Sequence, residues 1–148
     1  KELTIKLVFL RPLGLRLTME KIDKLTYVDQ AENVIKSLRV KDRNGRYVMR
    51  LTTSRIRNIL SLVTGIYNRV LHETRNELSE EICEEIQYLR LRIVYEAGKD
   101  QDVKNFMNQA NLLENIQDIG KNRERLLLFC RYMEALVAYH RFYGGRDA

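Results

Sequence analysis

Four side chains in this sequence have the chemistry of a nucleophile, a general base or a soft metal ligand: His72, His140, Cys83 and Cys130. Zinc sites pair such ligands about two to five residues apart, and the nearest Cys and His here, Cys130 and His140, are spaced too widely for that. A Cys-His nucleophile would depend wholly on tertiary placement, because no polar orienting group is marked beside either residue. Helical-bundle ribonucleases of the HEPN type need a short fixed spacing from Arg to His. Arg69 precedes His72 by three residues and Arg131 precedes His140 by nine, and neither matches. Phosphate-cradling loops of the type G-x-x-x-x-G-K or G-x-G-x-x-G are missing, as is a clustered Asp pair for two-metal work. Glu80, Glu81, Glu84 and Glu85 suit the dipole of a helix start and have no His at ligand spacing, so they read as a solvated first turn. The expectation is a protein without catalytic activity, metal or cofactor, whose two cysteines are reduced core thiols.

These residues lie on helices. The stretch from Arg125 to Gly145, R-L-L-L-F-C-R-Y-M-E-A-L-V-A-Y-H-R-F-Y-G-G, is apolar around most of its circumference. Leu126, Phe129, Cys130, Met133, Leu136, Val137 and His140 share one side, while Leu128, Tyr132, Ala135, Tyr139 and Phe142 cover much of the rest. Between Leu126 and Tyr143 the ionised side chains are Arg131, Glu134 and Arg141, confined to a wedge of roughly 80°. Such a helix must be enclosed by others. Asn122 caps its start, and Gly144-Gly145 stops it.

Four further helices precede it. Val28, Ala31, Val34, Ile35 and Leu38 mark a short first one, followed by a loop over 41–50 with Asn44-Gly45 as its turn and Tyr47-Val48-Met49 as a tether to the core. Thr52 or Thr53 caps a second helix with its apolar face on Ile56, Ile59, Leu60, Val63, Ile66, Tyr67 and Val70. Arg55 and Arg57 in its first turn oppose the macrodipole, which an external anion would relieve. Ser79 starts a third, buried through Ile82, Ile86, Leu89, Ile93 and Ala97 and ended by Gly98. A fourth runs from Val103 to Ile119 and buries Val103, Phe106, Met107, Ala110, Leu113 and Ile116.

A chain of 148 residues with 45% hydrophobic content forms one domain with a real core. The fold class is therefore all-α, a compact bundle of about five helices around a hydrophobic C-terminal one. Residues 1–18 differ in texture: Leu3, Ile5, Leu7 and Phe9 alternate as in a strand, then Pro12 and Gly14 turn the chain. They read as an extension preceding a domain over 19–148. No apolar run has the length of a membrane span, so the expectation is a cytoplasmic protein. The net charge of +6 is segmented, with an excess of four cations over 50–75 and of five carboxylates over 76–87. Basic and acidic faces of this kind suit a polyanion on one side and protein neighbours on another.

Three stretches together carry a resemblance: L-T-T-S-R-I-R-N-I-L at 51–60, I-Q-Y-L-R-L-R-I-V-Y-E-A-G-K at 86–99, and F-C-R-Y-M-E-A-L-V-A-Y-H-R-F-Y-G-G at 129–145. In order and spacing they resemble the small helical subunit of type III-A (Csm-type) CRISPR RNA-guided interference complexes, a family that normally starts near the position of Met19. The resemblance implies a five-helix bundle without catalysis, present in several copies along a filament. There it would line the groove that holds guide RNA paired with target RNA, in antiviral defence. Its neighbours would be other copies of itself, the backbone subunits that cut the target, and the large subunit that makes cyclic oligoadenylate and cuts DNA. Guide pairing reads sequence, so a groove-lining protein need contact only sugar and phosphate. The candidates for that contact are Arg50, Arg55, Arg57, Arg90, Arg92, Lys99, Lys121, Arg123, Arg131 and Arg141. A scaffold with no RNA contact and a helical-bundle ribonuclease are the alternatives.

Overall fold

The computed structural model describes residues 21–147, and the alternating stretch at 1–18 lies outside them. Among the described residues there are six helices and one small hairpin: α1 (Tyr27–Leu38), β1 (Val40–Lys41), β2 (Tyr47–Val48), α2 (Thr53–Val70), α3 (Glu80–Lys99), α4 (Gln101–Gln109), α5 (Leu112–Ile119) and α6 (Arg123–Phe142). The bundle is all-α as expected, and the hairpin closes through Asn44-Gly45, where the Asp42 carboxylate accepts the backbone N–H groups of Asn44 and Arg46 at 2.9 Å each. The strands pair antiparallel, Val40 with Val48 and Lys41 with Tyr47. Tyr47 and Val48 are exposed, so of the expected tether only Met49 packs against the core.

Every turn of α6 contributes to the core: Leu126, Leu128, Phe129, Cys130, Tyr132, Met133, Leu136 and His140 are all buried. It packs against α1, α2 and α5, and α3 and α4 complete the shell. Arg131, Glu134, Ala138 and Arg141 form its solvent-facing stripe. Phe142 departs from the expectation that it covers the helix, since 76% of it is open to solvent. The helix α1 runs parallel to α6: Ile22 meets Arg125, Tyr27 lies beside Arg131, and Glu32 meets Tyr143.

The helix expected over 103–119 is two helices. Its chain turns at Asn111, whose φ of 53° and ψ of 43° are left-handed. Asn tolerates that region better than most residues with a Cβ, though here the Asn111 side chain makes no cap bond of its own. The freed carbonyls are satisfied: Ala110 accepts from the Tyr132 hydroxyl at 2.9 Å and from the buried Asn115 amide at 3.3 Å, which also donates to Asn111 at 3.0 Å. Beyond the break the buried face shifts by one residue, to Leu112, Asn115, Ile116 and Ile119.

The segment after α6 turns back. Gly144 takes φ 97°, and Gly145 lays its backbone directly on the buried His140 ring, leaving no room for a Cβ. The His140 Nε2 is 2.6 Å from the Leu51 carbonyl, and the Arg146 carbonyl accepts the Thr53 N–H at 2.9 Å. Thr52 makes no side-chain cap, so this returning backbone supplies the acceptor that starts α2.

Leu136→Ala is expected to destabilise the fold by about 2 to 5 kcal/mol, because an enclosed site leaves a cavity. Lys104→Ala, at an exposed position, should stay within about 0.5 kcal/mol. Denaturant midpoints test both, and equal midpoints would mean that α6 is not the core. Gly145→Ala should cost about 1 to 3 kcal/mol by overpacking against His140; an unchanged midpoint would show that the returning segment yields freely.

Candidate nucleic-acid interface

The four groups with reactive chemistry lie apart from one another in role. His140 is a buried bridge to Leu51, His72 is exposed just beyond α2, Cys83 is half-buried on α3, and Cys130 is buried in α6. Burial pushes the Cys130 thiol up to about 12, so it stays protonated and unreactive at ordinary pH. Among the described residues no cluster of His, Cys, Asp and Glu could hold a metal ion, and no helix is long and apolar enough to cross a membrane.

The ten basic candidates divide into two populations. Arg55 at the start of α2 holds Asp100 at 2.9 Å and Asp102 at 3.1 Å, both at the α3–α4 junction. Its opposing charge is thus met by carboxylates of this chain, one of which, Asp100, also caps α4 by accepting from Asp102 and Val103. Arg57 pairs with Asp147 at 3.2 Å. Arg92 and Lys99 share the buried Glu96, at 2.9 and 3.3 Å, and both cations sit over the Tyr95 ring. Arg123 is half-buried and donates to the Val70 carbonyl at 3.4 Å, capping the far end of α2. Arg50, Arg90, Lys121, Arg131 and Arg141 form the second population. They are exposed and make no ion pair among the described residues.

No single face gathers all ten. Arg55 lies in the first turn of the 18-residue α2 and Arg123 at its far end beside Val70, about 22 Å along the axis at 1.5 Å per residue. The α1–α6 groove is a better organised surface. Shallow depressions there are lined by Lys24, Tyr27, Leu127 and Arg131 and then by Tyr27, Val28, Glu134 and Ala138. At its far end stands a cluster that spacing along the sequence did not reveal. The Arg39 guanidinium lies 4.6 Å from the centre of the Tyr47 ring and 4.9 Å from that of Tyr143, and Tyr143 meets Phe142 edge-on at 5.1 Å. Lys41 lies over Tyr47 at 5.4 Å. The Tyr143 hydroxyl donates to Glu32 at 2.5 Å, and this bond holds its phenol above the usual value.

A second surface is apolar. Along the outer side of α3, Tyr88, Leu91, Val94 and Tyr95 are all exposed, at helical spacing and opposite the buried Ile86, Leu89 and Ile93. Together they form one exposed apolar stripe.

Titration with a thiol reagent near pH 8 is expected to leave Cys130 unmodified until denaturant is added, by contrast with the half-buried Cys83. Rapid modification of Cys130 in the folded chain, read by peptide mass, would contradict its enclosure.

Comparison with known proteins supports one assignment. Residues 20–146 match the family model described as Csm2 Type III-A. The chain is 47% identical over 121 residues to the Streptococcus thermophilus "CRISPR system Cms protein Csm2", covering 82% of this chain and 93% of that protein. It is 42% identical over 121 residues to the protein of the same description from Mycobacterium tuberculosis (strain CDC 1551 / Oshkosh), with 82% and 94% covered. An Enterococcus italicus protein so described is 33% identical over 141 residues, which is 90% of this chain and all of that one. The chain therefore belongs to the Csm2 family of type III-A CRISPR systems.

Proposed function

We propose that this chain is a non-catalytic small subunit of a type III-A CRISPR effector complex, lining the groove that holds guide RNA paired with target RNA and contacting the target backbone. The observation that carries the reading is the set of exposed cations without a carboxylate partner among the described residues, Arg50, Arg90, Lys121, Arg131 and Arg141, in a chain of net charge +6. Arg131 and Arg141 stand on one stripe of the most firmly enclosed helix, about 15 Å apart at 1.5 Å per residue, so they reach different phosphates from a rigid base. A groove partner of this kind needs no sequence readout, because base pairing with the guide supplies it. Weak contacts suffice, because copies held side by side on one filament act on a single strand at high effective concentration.

The outer stripe of α3 favours a complementary role in assembly. Tyr88, Leu91, Val94 and Tyr95 offer apolar area to other copies or to backbone and large subunits, and the neighbouring Arg55, Arg92 and Lys99 are already neutralised by Asp100, Asp102 and Glu96. These basic and apolar features on α2 and α3 are also what a scaffold without RNA contact would use.

The assembled complex distinguishes the two readings. Changing Arg131 and Arg141 together to Ala should lower target retention and flatten the dependence of log K on log salt by about 1.4, at about 0.7 for each of two contacts on a single strand. Changing Arg55 and Arg57 to Ala should act instead through loss of their internal ion pairs. Target binding unaltered by the first pair at every salt concentration would leave the scaffold reading in possession.

A further inference from the structure

We propose that the aromatic and basic cluster at the end of the α1–α6 groove, Phe142, Tyr143, Arg39, Tyr47 and Lys41, is a stacking site for unpaired RNA bases. The inference rests on the reading that this chain meets RNA, and it adds a second mode of contact at a place outside the ten backbone candidates, save that Arg141 adjoins it.

The members form one continuous series. Phe142 meets Tyr143, Tyr143 meets Arg39, Arg39 meets Tyr47 and Tyr47 meets Lys41, with successive separations of 5.1, 4.9, 4.6 and 5.4 Å. Three elements supply them: α6 and the residue after it, the end of α1, and both strands of the hairpin. The inner members are fixed. Tyr143 is held by its bond to Glu32 and by stacking on Tyr139 at 6.3 Å, and Arg39 is half-buried between two rings. The outer members are open, with 76% of Phe142 and 58% of Tyr47 exposed. A fixed interior with open rings at both ends preorganises a platform, and each base stacked on such a ring adds affinity whatever its identity.

Charge favours RNA over an acidic peptide. Arg39 and Lys41 make no ion pair among the described residues, and the exposed Arg43 and Arg46 follow at the hairpin tip. The flanking carboxylates are occupied: Glu32 by Tyr143 and Lys36, and Asp42 by the backbone of the turn. A peptide carboxylate would use these cations but would have nothing planar to lay on Phe142 and Tyr47. A base-paired duplex would use the cations as well, yet it keeps its base faces inside the stack. Unpaired nucleotides satisfy both halves of the site.

The test uses the full chain with a single-stranded RNA of about 12 nucleotides carrying one 2-aminopurine, and the same strand annealed to its complement. Quenching of the single strand is expected. Phe142→Leu and Tyr47→Leu, which keep apolar area and lose the ring, should each weaken single-strand binding by about 5- to 100-fold with the salt slope unchanged. Binding of the duplex should not change. Wild-type affinity in both variants, with salt-dependent binding otherwise intact, would overturn the stacking site and leave the groove-lining reading standing. Absence of any single-strand binding by the free chain would also overturn the site, and the assembled-complex measurement would then judge the other reading alone. A polyglutamate peptide bound as tightly as RNA, with the same dependence on both rings, would assign the cluster to a protein partner and end the proposal.

Discussion

Leu126, Phe129, Met133 and Leu136 are wholly enclosed, and the arrangement of the other helices follows from that enclosure. A helix apolar around most of its circumference cannot lie on a surface, because each large side chain left in water forfeits about 1.5 to 3 kcal/mol of burial. The helices α1, α2 and α5 each present a narrow apolar face to it, and α3 and α4 pack behind them. Several polar groups inside this shell find partners, although the His140 Nδ1 does not. The Tyr132 hydroxyl reaches the Ala110 carbonyl, Asn115 bonds Ala110 and Asn111, and the His140 Nε2 lies against Leu51. Apart from Glu124 at its start and Phe142 at its end, α6 leaves outside only a thin stripe from Arg131 to Arg141, and that stripe is backed by packed side chains.

Features governed by neighbours in sequence were legible. Ser79 caps α3 and Asn122 caps α6 through their own side chains, Gly144 takes the left-handed turn, and Ile82, Ile86, Leu89, Ile93 and Ala97 are all buried as their spacing requires. The break at Asn111 was not legible, because Val103, Phe106 and Ala110 set a period that Leu113 and Ile116 continue, and one left-handed residue does not erase it. The chain instead buries Leu112 and leaves Leu113 at the margin. Thr52 has the composition of a cap, yet the acceptor for Thr53 comes from Arg146. Only the tertiary fold could supply that.

The same limit governs the candidate interface. Arg55 and Arg57 look unbalanced in the first turn of α2, and an external anion is the natural inference until Asp100, Asp102 and Asp147 arrive from elsewhere in the chain. Charge counted along a segment cannot tell a cation paired within the chain, as the exposed Arg55 and Arg57 are, from one without an ion pair. The aromatic cluster was hidden for the opposite reason. Tyr47 read as a core tether and Phe142 as part of an apolar helix, whereas Arg39 joins the Tyr47 ring to that of Tyr143, which in turn meets Phe142. Its members are about a hundred residues apart in the chain, like Tyr143 and Glu32, whose positions differ by 111.

That separation bears on how the protein comes into being. Synthesis is vectorial, and the helix that fills the centre follows all the others described here, with the backbone acceptor for α2 later still at Arg146. Until α6 leaves the ribosome, α1, α2 and α5 have no common surface to cover, and their apolar faces stay open to water or to chaperones. The earlier helices can pack on one another, α2 on α3 and α3 on α4, but the core they share stays incomplete until α6 arrives. A nascent chain stalled before that helix would leave the faces that α1, α2 and α5 turn toward α6 uncovered, which is the kind of exposed apolar surface that invites aggregation.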